Sequence, residues 1–298
     1  MSDQDQRRPL KAYLVMAAGL AAISTSVVFI RYAGSAPGEA VAVWRTVFGA
    51  LLVAPWAAVN ARDEISSFSG KEWGLIILSG AFLGLHFVTW ISSLYFTSVA
   101  SASALVALSP LFLAVLGFLI LRERLTRGEW MAIFVATIGV AALGWVDRSP
   151  VGEAATNPLL GNGLALSAAA FVSVYLLVGR FVRQRRSWAA YVGPVYVVTA
   201  LTTWIVSMIN GVPLLGWGWE VYAICLAMAV VPHLMGHGSV NWSLKYLPAA
   251  TVGLASLGVP VLSSLWGALF FGEIPSIPAM IAMGVILSSV LLAVRASR

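Results

Sequence analysis

This chain of 298 residues has one cysteine, twelve acids and three histidines, and each scarcity removes a class of function. The single thiol, Cys225 in an apolar run, has no intramolecular disulfide partner and reads as a buried, inert side chain. All the acids, from Asp3 to Glu273, fall in polar segments or at the ends of apolar runs. No carboxylate is left inside those runs to orient a histidine for nucleophilic hydrolysis, so an enzyme is the weakest reading. His233 and His237 have the i, i+4 spacing of a metal pair. Zinc would need a third protein ligand, and none is near, so no metal and no cofactor is expected. Charged residues make up only 10% of the chain, against roughly 25% in soluble domains. No hydrophilic stretch remains that could fold outside lipid.

What is present is apolar: 60% of the residues are hydrophobic and the mean hydropathy is +0.90. With about 20 residues needed to cross a bilayer, spans are predicted near 12–32, 39–60, 73–96, 99–121, 128–146, 159–181, 188–210, 219–243, 247–271 and 276–294. The runs are continuously apolar instead of alternating, which selects helices over a barrel. The expected fold is an all-α polytopic membrane protein of ten transmembrane helices. The amino end resembles a signal peptide, but its apolar stretch is too long for one and reads as a retained first span.

The net charge of +6 sits in short basic clusters between the runs, which argues for membrane topology and against a nucleic-acid partner. If the amino end is cytoplasmic, the inner segments hold 15 of the 18 Lys and Arg, the outer segments hold Arg31 and Arg148, and Arg45 lies within a span. This bias places both termini in the cytoplasm.

The chain also repeats itself. Leu121-Arg122-Glu123-Arg124-Leu125-Thr126 is echoed 150 positions later by Phe271-Gly272-Glu273-Ile274-Pro275-Ser276, and each Glu follows a Pro (Pro110, Pro260) by 13 residues. Leu94 with Leu244, Phe96 with Tyr246, Ala100 with Ala250 and Arg31 with Arg180 match at or near the same offset. A unit of five spans, written twice, must lie upside down to its copy. The corner at Glu123 is flanked by three arginines whereas its counterpart at Glu273 has no basic residue, as inversion requires. The predicted organisation is a cytoplasmic tail 1–11, a first repeat 12–146, an outer linker 147–158, an inverted second repeat 159–294 and a cytoplasmic tail 295–298. Such 5+5 inverted repeats recur in secondary transporters, with sites at the repeat interface.

A mid-helix Pro among small residues (Ala100 to Ala107; Ala249 to Gly258), a terminal Glu and a following Gly-containing helix (Gly139; Gly284) resemble the doubled EamA unit of the drug/metabolite transporter superfamily. Trp44-Arg45 resembles that family's second span. Length, short loops and aromatic content look most like the YddG-type exporters of aromatic and other neutral amino acids. There are two departures: Val195 stands where the second half would repeat Arg45, and Ile23-Ser24-Thr25-Ser26 replaces a Trp frequent in the first span. The resemblance implies a bacterial inner-membrane exporter, working by alternating access, with a pathway lined by spans one, three, four, six, eight and nine. The implied partners are the lipid bilayer and a small molecule, amino acids including aromatic ones.

His86, Trp90, Ser93 and Thr97 fall on one face of span three, and His233, His237 and Asn241 on one face of span eight. A polar stripe facing lipid is costly, so both should face a cavity or neighbouring helices. His237 lies 151 positions after His86, which would bring the two together across the pseudo-twofold axis. Substrate contacts are assigned to Ser24, His86, Trp90, Tyr175, His237 and Asn241, with packing within the bundle as the alternative for each. Arg45 either snorkels to the outer interface or lines the outer gate, pairing with Glu39 or Glu273. Pro110 and Pro260 should kink their helices and act as hinges, the alternative being static kinks. With only histidines ionisable at depth, facilitated movement is favoured over proton coupling. The rival readings are another metabolite or drug as cargo and a receptor or scaffold that transports nothing. No oligomeric state is specified, and a monomer accords with the sequence.

Overall fold

The computed structural model describes residues 3–121, 126–146, 157–247, 249–272, 274 and 276–296. The Glu123 and Glu273 corners and most of the predicted outer linker lie outside the described residues. Among the described residues ten long helical segments follow one another: α1 (Leu10–Tyr32), α2 (Gly38–Asn60), α3 (Gly70–Ser93), α4 (Ser101–Ile120), α5 (Arg127–Val146), α6 (Pro158–Arg183), α7 (Trp188–Ile209), α8 (Trp219–Ser243), α9 (Thr251–Phe271) and α10 (Ile277–Ala296). Eight of these, all but α5 and α10, are long and apolar enough among the described residues to cross a membrane. The other two are 20-residue helices that pack against each other.

Local chemistry sets the boundaries. Ser69 and Glu72 form a reciprocal capping box at the start of α3, Asn157 caps α6 ahead of Pro158, and Ser187 caps α7. At its far end α9 stops on Gly272, which takes the left-handed conformation at φ 66°. Several tryptophans near helix ends, among them Trp56, Trp130, Trp145 and Trp219, are exposed, as side chains of an interfacial belt would be. Trp188 instead turns inward and donates its indole N–H to the Gly238 carbonyl at 2.9 Å.

The principal helix pairs form a self-consistent set. α3 packs on α6 as α1 packs on α8; α7 on α3 as α2 on α8; α4 on α6 as α9 on α1. The pairs α2–α7, α4–α9 and α5–α10 map onto themselves when each helix is exchanged with the one five places on. Where α1 meets α8 the backbones approach closely: a Cβ on Gly236 would stand 2.6 Å from Ile23 Cγ1, and one on Gly19 2.7 Å from Ser239 Cβ.

Four helices are interrupted, and the interruptions differ from the kinks expected at Pro110 and Pro260. Regular helix in α4 stops at Val106 and resumes at Ser109; in α9 it stops at Ala255, passes through a 3-10 turn at Ser256–Gly258 and resumes at Val259. Each proline thus falls in the first turn of a new segment, where its missing N–H leaves no helical bond unmade. The restart points, Ser109 and Val259, are 150 residues apart, the spacing of the repeat. In α1 the break is at Thr25, where the Ser24 and Thr25 hydroxyls donate to the carbonyls of Ala21 and Ala22, each at 2.7 Å. In α8 the segment Ala229–His237, containing Pro232, is a π-helix, a wider turn that accommodates a residue without an N–H.

Candidate functional site

The helix breaks surround a cavity of about 90 Å³. α1, α3, α4, α6, α8 and α9 supply most of its wall, and α2 adds Arg45. One side is apolar, with Leu20, Phe87, Trp90, Val172 and Leu176; hydroxyls of Ser26, Ser103, Ser256 and Ser263 and the imidazoles of His86 and His237 interrupt it. Among the described residues no carboxylate lines it.

The sequence-predicted residues separate into two groups. His86, Trp90 and His237 are on the wall, with the two imidazole centroids 6.1 Å apart. A carbonyl can only accept, so His86 Nδ1 donates to Ala168 O at 3.0 Å, fixing the ring between α3 and α6. Ser24, Tyr175 and Asn241 lie off the wall, with the two hydroxyls and the amide nitrogen bonded elsewhere, while Asn241 Oδ1 has no partner among the described residues. Ser24 Oγ accepts the Trp266 indole N–H at 2.9 Å, tying α1 to α9. Asn241 Nδ2 donates to the Tyr175 hydroxyl and to His237 O, the latter at 2.9 Å, and the Tyr175 ring stands 6.4 Å from His237. This pair braces α6 and α8 directly behind the histidine.

The hinge prolines are placed unequally. Pro260 is on the cavity wall, whereas Pro110 borders a separate void of about 20 Å³ with Ala107, Leu111, Ala132 and Leu257. Pro110 also faces Gly253 of α9, whose Cβ position is 3.7 Å from its ring.

Arg45 departs most from the sequence reading. It neither snorkels nor pairs with Glu39, which instead accepts two hydrogen bonds from Asn210 Nδ2 at 3.2 and 3.3 Å; Glu273 lies outside the described residues. The Arg45 side chain is 1% exposed and stacks over Phe87, with Cζ 4.3 Å from the ring centroid. Nη1 donates to Ser26 Oγ at 3.5 Å, while Nε and Nη2 have no acceptor. Cation–π stacking contributes about 0.5–2 kcal/mol, less than the several kcal/mol that burying an uncompensated charge costs.

Phe87, missed in the sequence, is the hub of this arrangement. Besides Arg45, its ring meets His233 at 4.9 Å and His237 at 5.0 Å. His233 itself is fully buried against Tyr196 at 4.1 Å and leaves the wall to His237. Only its position next to His86 could have drawn attention to Phe87; an aromatic in an apolar run carries no other signal. Among the described residues no three His, Cys, Asp or Glu side chains converge as metal ligands would.

A multi-pass helical membrane protein with a cavity lined by side chains of two related halves is the class that this fold and site define. The EamA-like transporter family matches the chain twice, over residues 10–145 and 159–295, and the chain belongs to that family of membrane transporters. An uncharacterized transporter of Pseudomonas aeruginosa is 26% identical over 237 residues, covering 78% of this chain and 74% of that one. Another, from Methanothermobacter thermautotrophicus, is 25% identical over 239 residues and 76% of this chain, which spans only 65% of that relative's length. A solved crystal structure shares the fold with a TM-score of 0.73 at 19% identity, covering 97% of this chain and 99% of that one. Membership in a transporter family accords with the sequence reading of a chain that carries molecules and leaves them chemically unchanged.

Proposed function

We propose that this protein is a bacterial inner-membrane exporter of small metabolites, foremost neutral and aromatic amino acids, moving them by alternating access down their gradient. One observation carries the reading: the cavity lies at the junction of the two family-matched halves and takes His86 and Trp90 from one, His237 from the other. Trp90 and Phe87 offer apolar contact for a side chain; His86, His237 and the serines offer hydrogen bonds to a polar head. Ser24, Tyr175 and Asn241 support these contacts from behind. The modest volume favours a small metabolite over a drug-sized one, and a wall without carboxylates favours facilitated movement over a proton relay.

In this proposal all ten helices span the membrane, five plus five inverted, with both termini cytoplasmic. The self-mapping set of helix pairs and the doubled family match support the two-unit architecture. Pro110 and Pro260, at the restarts of α4 and α9, serve as hinges. Purified protein in liposomes, given a panel of labelled amino acids with and without a pH gradient, tests the function. Uptake of at least one neutral or aromatic amino acid is expected, insensitive to the pH gradient and reduced at least tenfold by His86→Ala or His237→Ala. No flux of any amino acid would reject the substrate assignment, and unchanged uptake in both variants would reject the contacts.

A further inference from the structure

Among the described residues Arg45 is the only formally charged side chain on the cavity wall, buried to 1% exposure with two of its three guanidinium nitrogens lacking an acceptor. Among the described residues no carboxylate pairs with it; its partners are the Phe87 ring and one long hydrogen bond to Ser26 Oγ. An arginine stays protonated, and a cation kept this way inside the bundle lacks its counter-charge. Arg183, the other deeply buried arginine, contrasts with it: its Nε and Nη1 donate to the carbonyls of Asn241 and Arg186.

We propose that Arg45 seats a carboxylate of the transported molecule, so that the ligands of this cavity are monocarboxylates. This rests on the cavity being the substrate site. A guanidinium pairs with a carboxylate through two parallel N–H donors, a geometry that a lysine does not reproduce. Among the described residues the wall holds no second cation for a dianion, and no anion to attract an amine that lacks a carboxylate. Among the described side chains of the wall the acceptors for an α-ammonium group are neutral hydroxyls and imidazoles, so the carboxylate, and not the amine, is the group that meets a charge.

The test is ligand binding to the purified wild-type protein in chloride-free buffer, read by thermal stabilisation and isothermal titration. The probes are L-phenylalanine, 3-phenylpropanoate, L-phenylalaninamide, phenethylamine and propanoate, with sodium chloride titrated separately. The two phenyl-bearing acids should bind at least tenfold more tightly than the amide and the amine, and Arg45→Gln should remove that preference while Arg45→Lys retains part of it. If Arg45→Gln does not fold, the acid-against-amide comparison on the wild-type chain decides alone. Binding of 3-phenylpropanoate without L-phenylalanine would uphold the carboxylate seat and sink the amino-acid reading. Equal binding of L-phenylalanine and its amide would overturn the seat and leave the amino-acid reading standing. Failure of every carboxylate to bind, or chloride abolishing their binding at millimolar concentration, would also overturn it.

Discussion

Arg45 and His233 illustrate how far a side chain's position along a helix falls short of its environment. Counting from the start of α2 located Arg45 a few residues below the outer end, where its long stem could have reached water; its actual direction, onto Phe87, depends on helix rotation that neighbours decide. His233 was grouped with His237 by α-helical spacing, but the π segment alters that relation, and the two rings stand 6.0 Å apart at 78°. His233 fits because position 49 is glycine: a Cβ there would lie 2.9 Å from His233 Nδ1. Gly49→Ala should therefore cost about 1–3 kcal/mol by overpacking, seen as a lower melting temperature of the purified protein. Tyr175→Phe removes the partner of Asn241 and should cost about 1 kcal/mol, with little change in KM for transport, because the hydroxyl faces the amide and not the cavity. A large rise in KM would return Tyr175 to the wall.

Among the elements, length and apolar continuity made the helices legible, and capping residues such as Ser69 and Asn157 account for their starts. The breaks were less so. A proline announces that a helical bond is missing but not whether the helix continues past the gap, as at Pro55 and Pro194 within α2 and α7, or restarts, as at Pro110 and Pro260. Which outcome occurs depends on the space that packing leaves: around Pro110, Gly253 and a small void lie against the ring. The restart in α9 brings Ser256, Val259 and Pro260 onto the cavity wall. Pro260→Ala should let helix run through the break, slowing transport while ligand affinity is retained; single-turnover flux set beside equilibrium binding separates the two. Equal losses of both would mean that Pro260 shapes the site and does not move.

At the scale of the molecule, the repeat was the part of the sequence that foretold most. The 151-residue offset anticipated the closeness of His86 and His237, and the helix pairs map onto themselves between halves. What the repeat could not foretell is where the halves differ, since Arg45 has Val195 at its matching position. The two ends of the bundle are fastened differently. At one, Arg186 Nε donates to Glu72 Oε1 at 2.6 Å and stacks on Phe68, and Glu64 accepts the Ser187 backbone N–H at 2.7 Å; the hydrogen bond that Arg186 donates to Glu72 raises the guanidinium pKa. At the other, Asn210 donates to Glu39 and Trp44 Nε1 to Leu214 O. Glu72→Gln removes the charge-assisted tie and should favour the form open at that end, detected as faster labelling of a cavity cysteine from one face of the membrane and not the other. No change in rate would assign Glu72 to helix capping alone.

Alternating access requires one cavity to be reached in turn from the two sides of the membrane. Because Cys225 is the only cysteine, a Cys225→Ser background carrying Ser263→Cys offers a single reporter on the wall. A small, anionic, membrane-impermeant methanethiosulfonate would be applied to right-side-out and to inverted vesicles, and the modified fraction followed by mass spectrometry. Modification from both faces, slowed by a transported amino acid, is the predicted result; modification from one face only, or from neither, would contradict it.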